Sequence, residues 1–292
     1  MTRHHGRVPE LPEVESIRRQ LAPLLTGRTI VGVKATPQRR FSRLDEAAGR
    51  RISAVNRRGK YLLLPLVPAP GAGDPAGRSS PDRELVMHLG MTGSFRLADP
   101  DPYVRATFHL LADPAGPHGG EGAALHFRDV RRFGRLSVVD AGDYSTIATL
   151  AQLGPEPLSE EFRPDAFHAA LAGSRMPVKP YLLTQRPVAG VGNIYADEAL
   201  WRARVNPHAR RVGRERARAL WEAIRAVLAE AIEREGTTFR DYAMVNGESG
   251  RFATFLTAYG QAGRPCARCG EPLVKTVLGG RGTTYCRVCQ RR

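Results

Sequence analysis

The sequence predicts a multidomain α+β protein, and three observations lead there. A helical period near the start gives way to short apolar runs parted by turn residues, the pattern of an antiparallel β-sandwich or barrel. From about Thr149 the composition turns helical. All four cysteines lie within the last 27 residues, which mark a small third unit.

Pro12 suits a first helical turn, where its missing N–H has no partner to lose, and Glu13 and Glu15 favour the positive end of the dipole. Val14, Ile17, Leu21, Leu24 and Leu25 recur at helical spacing, so a helix is expected over 12–25, ended by Gly27. Apolar or alternating runs follow at 30–33, 61–67, 85–88, 106–111, 124–127 and 136–139. Two insertions rich in Gly and Pro, 68–81 and 112–122, are expected to be mobile surface loops. Segments 166–171, 195–202 and 215–234 have helical composition. The chain shows no internal repeat.

The formal charge is +15 and the isoelectric point about 10.5, which call for a polyanionic partner, most simply nucleic acid. Of 44 basic residues only Lys34, Lys60, Lys179 and Lys275 are lysines, so each is a candidate for a role that Arg cannot fill. No apolar run approaches the roughly 20 residues needed to span a bilayer, and the first eight residues lack the apolar core of a secretory signal. A cytoplasmic protein with no membrane partner is expected.

The cysteines read Cys266-x2-Cys269-x16-Cys286-x2-Cys289. Two thiolate pairs on two tight turns complete a tetrahedral Zn²⁺ shell and leave no open position, so one structural zinc ion is expected. Disulfides are the competing assignment, disfavoured in an intracellular chain. Residues 278–283 (LGGRGT) between the pairs form a hairpin tip that presents Arg281, suited to a phosphate.

Several motifs then stand in order: PELPEVE at 9–15, RGKY at 58–61, HLGMTG at 88–93, RRFG at 131–134, LGPEPL at 153–158, GVGNIYA at 190–196, GTT at 236–238, and the cysteine quartet. Together they resemble the bacterial formamidopyrimidine-DNA glycosylases, bifunctional base-excision repair enzymes, over nearly the whole chain from Pro9 to Gln290. The resemblance implies a β-sandwich catalytic domain with its leading helix over 9–148. It also implies a helix–two-turn–helix DNA-binding domain with a lesion-capping loop over 149–259, and a zinc-finger hairpin over 260–292.

By the same resemblance, a Pro9 amine attacks C1′ of a damaged nucleotide in double-stranded DNA, and the iminium that forms permits β,δ-elimination. Glu10 is implied as general acid/base, with Glu13 as its structural orienter. Lys60 contacts phosphate and assists elimination, and Arg281 binds phosphate for δ-elimination. Met91, Arg131 and Phe133 fill the space left by the extruded nucleotide, with Arg131 facing the orphaned cytosine. Arg132, Lys179, Asn193 and Tyr103 complete the implied DNA-binding set. Tyr103 and Arg240 depart from the histidine and lysine common at their places, and the capping segment 245–255 is divergent. Oxidised purines are the implied substrates, and a monomer suffices for a bacterial, nucleoid-associated enzyme. The alternatives are an endonuclease VIII-like enzyme for oxidised pyrimidines, and a non-catalytic damaged-DNA-binding protein.

The last alternative arises because Pro9 is internal here, and an acylated proline nitrogen has no free lone pair. Residues 1–8 are therefore read as a non-native leader. Val8 stands where the family has its initiator Met, and a GTG codon encodes Met when it starts translation. Initiation there, followed by Met removal, would expose Pro9.

Overall fold

The structure is a computed structural model and describes residues 8–69, 81–97, 99–112, 120, 122–237 and 252–291. The leader 1–7, the interior of both Gly/Pro insertions, Arg240 and most of the capping segment lie outside the described residues. The chain forms two compact units. One comprises 13–151 together with Pro9; the other comprises 10–12, 152–237 and 250–292.

Helix α1 (Leu11–Leu25) buries Val14, Ile17, Leu21 and Leu25, the apolar stripe of the sequence, and Gly27 at φ 86° stops it. In the first unit follow β1 (Thr29–Ala35), β2 (Phe41–Ser42), β3 (Arg50–Ile52), β4 (Asn56–Arg58), β5 (Tyr61–Pro68) and β6 (Arg83–His88). Then come β7 (Gly93–Arg96), β8 (Val104–Leu111), β9 (Gly122–Asp129), β10 (Arg135–Asp140) and the short α2 (Ala148–Ala151). All six expected runs are strands. The four additional ones, β2, β3, β4 and β7, have two to four residues and too little apolar alternation to betray them.

The strands pair in the order β2-β10-β6-β5-β3-β1-β8-β9-β7, with β4 hairpinned onto β5. Every pairing is antiparallel except β2 with β10. The ladder folds over on itself: Phe41 of β2, at one end, meets Phe127 of β9, near the other, with ring centroids 6.2 Å apart. Leu62, Leu64, Leu66, Met87 and Val138 from one half thus share a core with Phe95, Phe108, Leu110 and Phe127 from the other, and α1 joins it. This is the expected sandwich with its leading helix.

The second unit holds α3 (Pro164–Ala172), α4 (Val178–Leu183), α5 (Asn193–Arg202) and α6 (Arg214–Glu233). It also holds the hairpin β11 (Val274–Leu278) and β12 (Arg281–Tyr285). Helix α6 is amphipathic, with Ala217, Leu220, Ile224, Val227, Leu228 and Ala231 buried at helical spacing. Gly279 and Gly280, at φ 57° and 73°, form the two-residue turn between β11 and β12, a geometry that favours glycine. Among the described residues no helix is long and apolar enough to cross a membrane.

One ion-pair cluster ties α1 to the β4–β5 hairpin. Glu15 accepts from Arg18 at 2.8 Å, Arg19 at 3.0 Å and Arg57 at 3.0 Å. Burial alone would raise the Glu15 carboxyl, but hydrogen bonds from Arg18 and Arg57 outweigh it and lower the pKa from 4.5 to about 2. A depressed folded-state value stabilises above the unfolded pKa and loses that stability as pH falls through the folded one. Glu15→Gln should therefore cost about 1–2 kcal/mol at neutral pH, after discounting for solvent screening. It should also flatten the acid limb between the two values, as read by urea unfolding at a series of pH values.

Candidate functional site

In the second unit a carboxylate sits on the N-terminus of α5. Gly192 N, Ile194 N and Tyr195 N donate to the Glu10 carboxylate at 2.7, 2.8 and 3.4 Å. A helix leaves such first-turn amides without intrahelical partners, and its dipole favours negative charge there. Leu11 N donates to Gly190 O at 3.2 Å, so the chain just after Pro9 runs against the 190–192 turn. A Cβ on Gly190 would lie 2.4 Å from Leu11 Cδ1, and one on Gly192 2.3 Å from the Glu10 carboxyl carbon. These glycines are required by the approach of Glu10 and Leu11. Pro9 and Glu10 are both buried.

Asn193 opens α5, and its side-chain oxygen is buried without a hydrogen bond among the described residues, which leaves polar capacity at this turn. The LGPEPL motif braces the turn from behind. Gly154 N donates to Gln185 O, Ala189 N to Pro155 O, and Gly190 N to Gln185 Oε1, each at 2.8–2.9 Å.

Farther along α5, Asp197 and Glu198 are buried and consecutive. Asp197 lies 2.6 Å from Lys179 Nζ and accepts from Thr284 N at 2.9 Å. Lys179 also donates to Gly282 O at 3.0 Å and Thr283 Oγ1 at 2.9 Å. Two ammonium protons thus go to the hairpin, and the positive charge lies against the Asp197 carboxylate. Lys179, expected to reach DNA, is fully buried and instead holds the strand that begins with exposed Arg281. Burial lowers the Lys179 pKa against the pull of Asp197, and burial pushes Asp197 up to about 6 despite Lys179. Glu198 accepts from Thr257 Oγ1 at 2.6 Å and from the amides of Thr257, Ala258 and Tyr259 at 2.8–3.0 Å.

The sulfurs of Cys266, Cys269, Cys286 and Cys289 all lie within 4.8 Å of one another and are unbridged. Tetrahedral thiolates about 2.3 Å from a zinc ion stand about 3.8 Å apart, so the quartet fits that shell. Trp201 Nε1 donates to Cys266 Sγ at 3.4 Å.

In the first unit, Lys60 follows Gly59 (φ 56°) in the β4–β5 turn and is 9% exposed. Near it His88, half-buried, accepts from Gly90 N at Nδ1 (3.1 Å), which puts its proton on Nε2. Burial first, then the positive charge of Lys60, lowers the His88 pKa to about 3, so the ring is a neutral N–H donor. A pocket of about 290 Å³ is lined by Val8, Arg40, His88, Gly90, Met91 and Phe133. Beside it, sharing Arg40 and Phe133, a basic pocket of about 500 Å³ is lined also by Gln38, Arg39, Arg132 and Arg135. Met91 is half-buried, Arg131 and Arg132 are exposed, and Phe133 is 42% exposed with the Arg131 guanidinium 5.3 Å from its ring centroid. Phe133 is therefore no core residue. Tyr103 is 44% exposed, flanked by Arg128 and Arg105 at 5.0 and 5.9 Å from its ring centroid.

Sequence reasoning missed His88, Arg40, Asp197 and Glu198 as individuals. His88 and Asp197 lie in or beside quoted motifs, whereas nothing marks Arg40 among so many arginines.

Three family models match in order. They are the formamidopyrimidine-DNA glycosylase N-terminal domain at 8–136, the formamidopyrimidine-DNA glycosylase H2TH domain at 153–243, and a zinc finger found in FPG and IleRS at 263–292. A formamidopyrimidine-DNA glycosylase of Deinococcus radiodurans is 47% identical over 287 residues, covering 97% of each chain. The crystal structure of the MutM (Fpg) protein from Thermus thermophilus superposes with a TM-score of 0.84 at 46% identity, covering 97% of this chain and 98% of that one. A Lactococcus lactis FPG mutant in complex with a Fapy-dG containing DNA gives 0.83 at 32% identity, covering 97% of this chain and 100% of that one.

Removing one partner of the buried Lys179–Asp197 pair leaves a charge without compensation. Asp197→Asn should lower unfolding free energy by about 3–5 kcal/mol and increase amide exchange along β12, read by hydrogen–deuterium exchange.

Proposed function

We propose that this chain, which belongs to the formamidopyrimidine-DNA glycosylase family, excises oxidised purines from double-stranded DNA and then cleaves the abasic strand. The observation that carries the chemistry is the Pro9–Glu10 pair: a buried proline followed by a carboxylate fixed by three amides. A free Pro9 nitrogen adds to C1′ as the bond from C1′ to the base breaks, and the base leaves with a proton. The nitrogen sheds its proton and the sugar ring opens at the C1′–O4′ bond, with O4′ taking a proton, to leave an iminium; this acidifies C2′–H, so the 3′ phosphate departs by β-elimination and the 5′ phosphate by δ-elimination. The Glu10 carboxylate, next in the chain, is assigned to take the proton that the amine sheds and to deliver one to the opening ring oxygen.

Lys60, Arg281 and Asn193 are assigned to the phosphates that flank the lesion, with the His88 N–H as a further donor. Met91, Arg131 and Phe133 are assigned to the space vacated by the flipped nucleotide. Half-exposed Phe133 under a guanidinium supports this, because a core aromatic would be covered. Arg132 and Tyr103 belong to the same DNA-facing set. Lys179 acts through the hairpin that carries Arg281. The four thiolates would hold one zinc ion, whose bound state supplies the folding energy of a hairpin too small for its own core.

The mechanism requires a chain whose first residue is Pro9. Such a chain should form a covalent adduct with lesion duplex under borohydride, with the mass increase mapping to Pro9. The same chain retaining residues 1–8 should bind but not trap. Trapping through Pro9 with Met1 retained would overturn the mechanism. Native mass spectrometry should find one zinc per chain, and strand cleavage should survive a brief exposure to EDTA, since no step uses a dissociable metal.

A further inference from the structure

Two loops carry Met91, Arg131 and Phe133: residues 89–92 between β6 and β7, and residues 130–134 between β9 and β10. Neither belongs to a regular element, yet a void-filling set works only if its three members keep their spacing. The last residue of β9, Asp129, lies where the loops meet and is 1% exposed. Its Oδ1 accepts from Thr92 Oγ1 at 2.6 Å and its Oδ2 from Gly134 N at 2.7 Å. Arg131 N is shared between Thr92 Oγ1 at 3.1 Å and Asp129 Oδ1 at 3.3 Å. One carboxylate thus binds the end of one loop and both ends of the stretch that presents Arg131 and Phe133.

The backbones are in contact as well. A Cβ on Gly90 would lie 2.6 Å from the Phe133 carbonyl carbon, and one on Gly134 2.5 Å from the Phe127 ring. The loops are therefore packed as one piece. Arg132, at φ 57°, adopts a conformation that favours glycine, and persists because its neighbours on both sides are fixed. Asp129 itself lines neither pocket, and its side chain lies beneath the loops.

We propose that Asp129, with Thr92 as its relay, is the positioning residue that keeps Met91, Arg131 and Phe133 in register. It thereby sets the rate of excision from duplex DNA and the preference for the base opposite the lesion. This rests on the assignment of those three side chains to the vacated space. An aspartate is needed because all its neighbours donate. Asn would turn an N–H₂ toward Gly134 N–H or the Thr92 hydroxyl, and Val at position 92 would remove both a donor and an acceptor.

The test uses the chain that begins at Pro9, with D129N, T92V and T92S. Single-turnover excision from a lesion opposite cytosine should fall about tenfold or more in D129N and T92V, since a displacement near 1 Å suffices for such losses. The ratio of rates opposite cytosine and adenine should collapse toward one, and T92S should stay near the parent. Borohydride trapping on single-stranded abasic DNA, which has no opposite strand, should change less than about twofold. A purely structural defect would lower both substrates together, which overturns the proposal, as would parental duplex rate and preference in a folded D129N. If D129N does not fold, T92V decides by the same criteria. If the parent itself excises no lesion, the proposed function fails. The positioning claim is then decided by the Arg131 and Gly134 amides: faster exchange in T92V or D129N supports it, and unchanged exchange overturns it.

Discussion

Helix α5 buries eight consecutive residues, Ile194 to Trp201, and must still satisfy every polar group among them. That constraint organises the second unit. The amides of the first turn take the Glu10 carboxylate, and Asp197 and Glu198 take partners from β12 and from 257–259. An unpaired polar group in such a place would cost several kcal/mol. Three stretches far apart in sequence are therefore held to one helix by hydrogen bonds that burial makes obligatory, not by apolar contact alone. The two glycines of the preceding turn exist to let one of those stretches come close enough.

The first unit solves a different problem with the same means. Its sandwich core is apolar and reads directly from the alternation of its strands. Met91, Arg131 and Phe133 stand on loops, which have no periodicity to fix them. A buried acid below the loops and the Glu15 cluster beside the β4–β5 turn do so instead. Acidic residues thus tie down the segments next to Met91, Phe133 and Lys60.

Much of this was legible in the sequence, for reasons particular to each part. The stripe Val14, Ile17, Leu21, Leu25 gave α1 to within a residue, because a helix packed on one core must repeat that way. The cysteine spacing announced its cluster, and Gly279–Gly280 its turn. The short strands β2, β3, β4 and β7 were illegible, since each owes its existence to a neighbour in the ladder and not to its own residues. Lys179 shows the limit for the site. Its rarity marked it as unusual, but only the fold brings its ammonium to the Asp197 carboxylate and the hairpin. Asp129 was silent for the same reason: an acid beside an arginine-rich motif looks like a surface charge.

The contact between Trp201 and the cysteine cluster has an optical consequence. The indole N–H points at Cys266 Sγ while the Arg268 guanidinium stacks 4.0 Å from its ring centroid. The other tryptophan, Trp221, donates to Phe162 O and is stacked by Arg225, with no thiol beside it. The surroundings of the Trp201 indole thus change with the state of the Cys266 sulfur to which it donates. The protein therefore carries its own chromophore for the state of its thiolates, with a second tryptophan in the same chain as an internal reference.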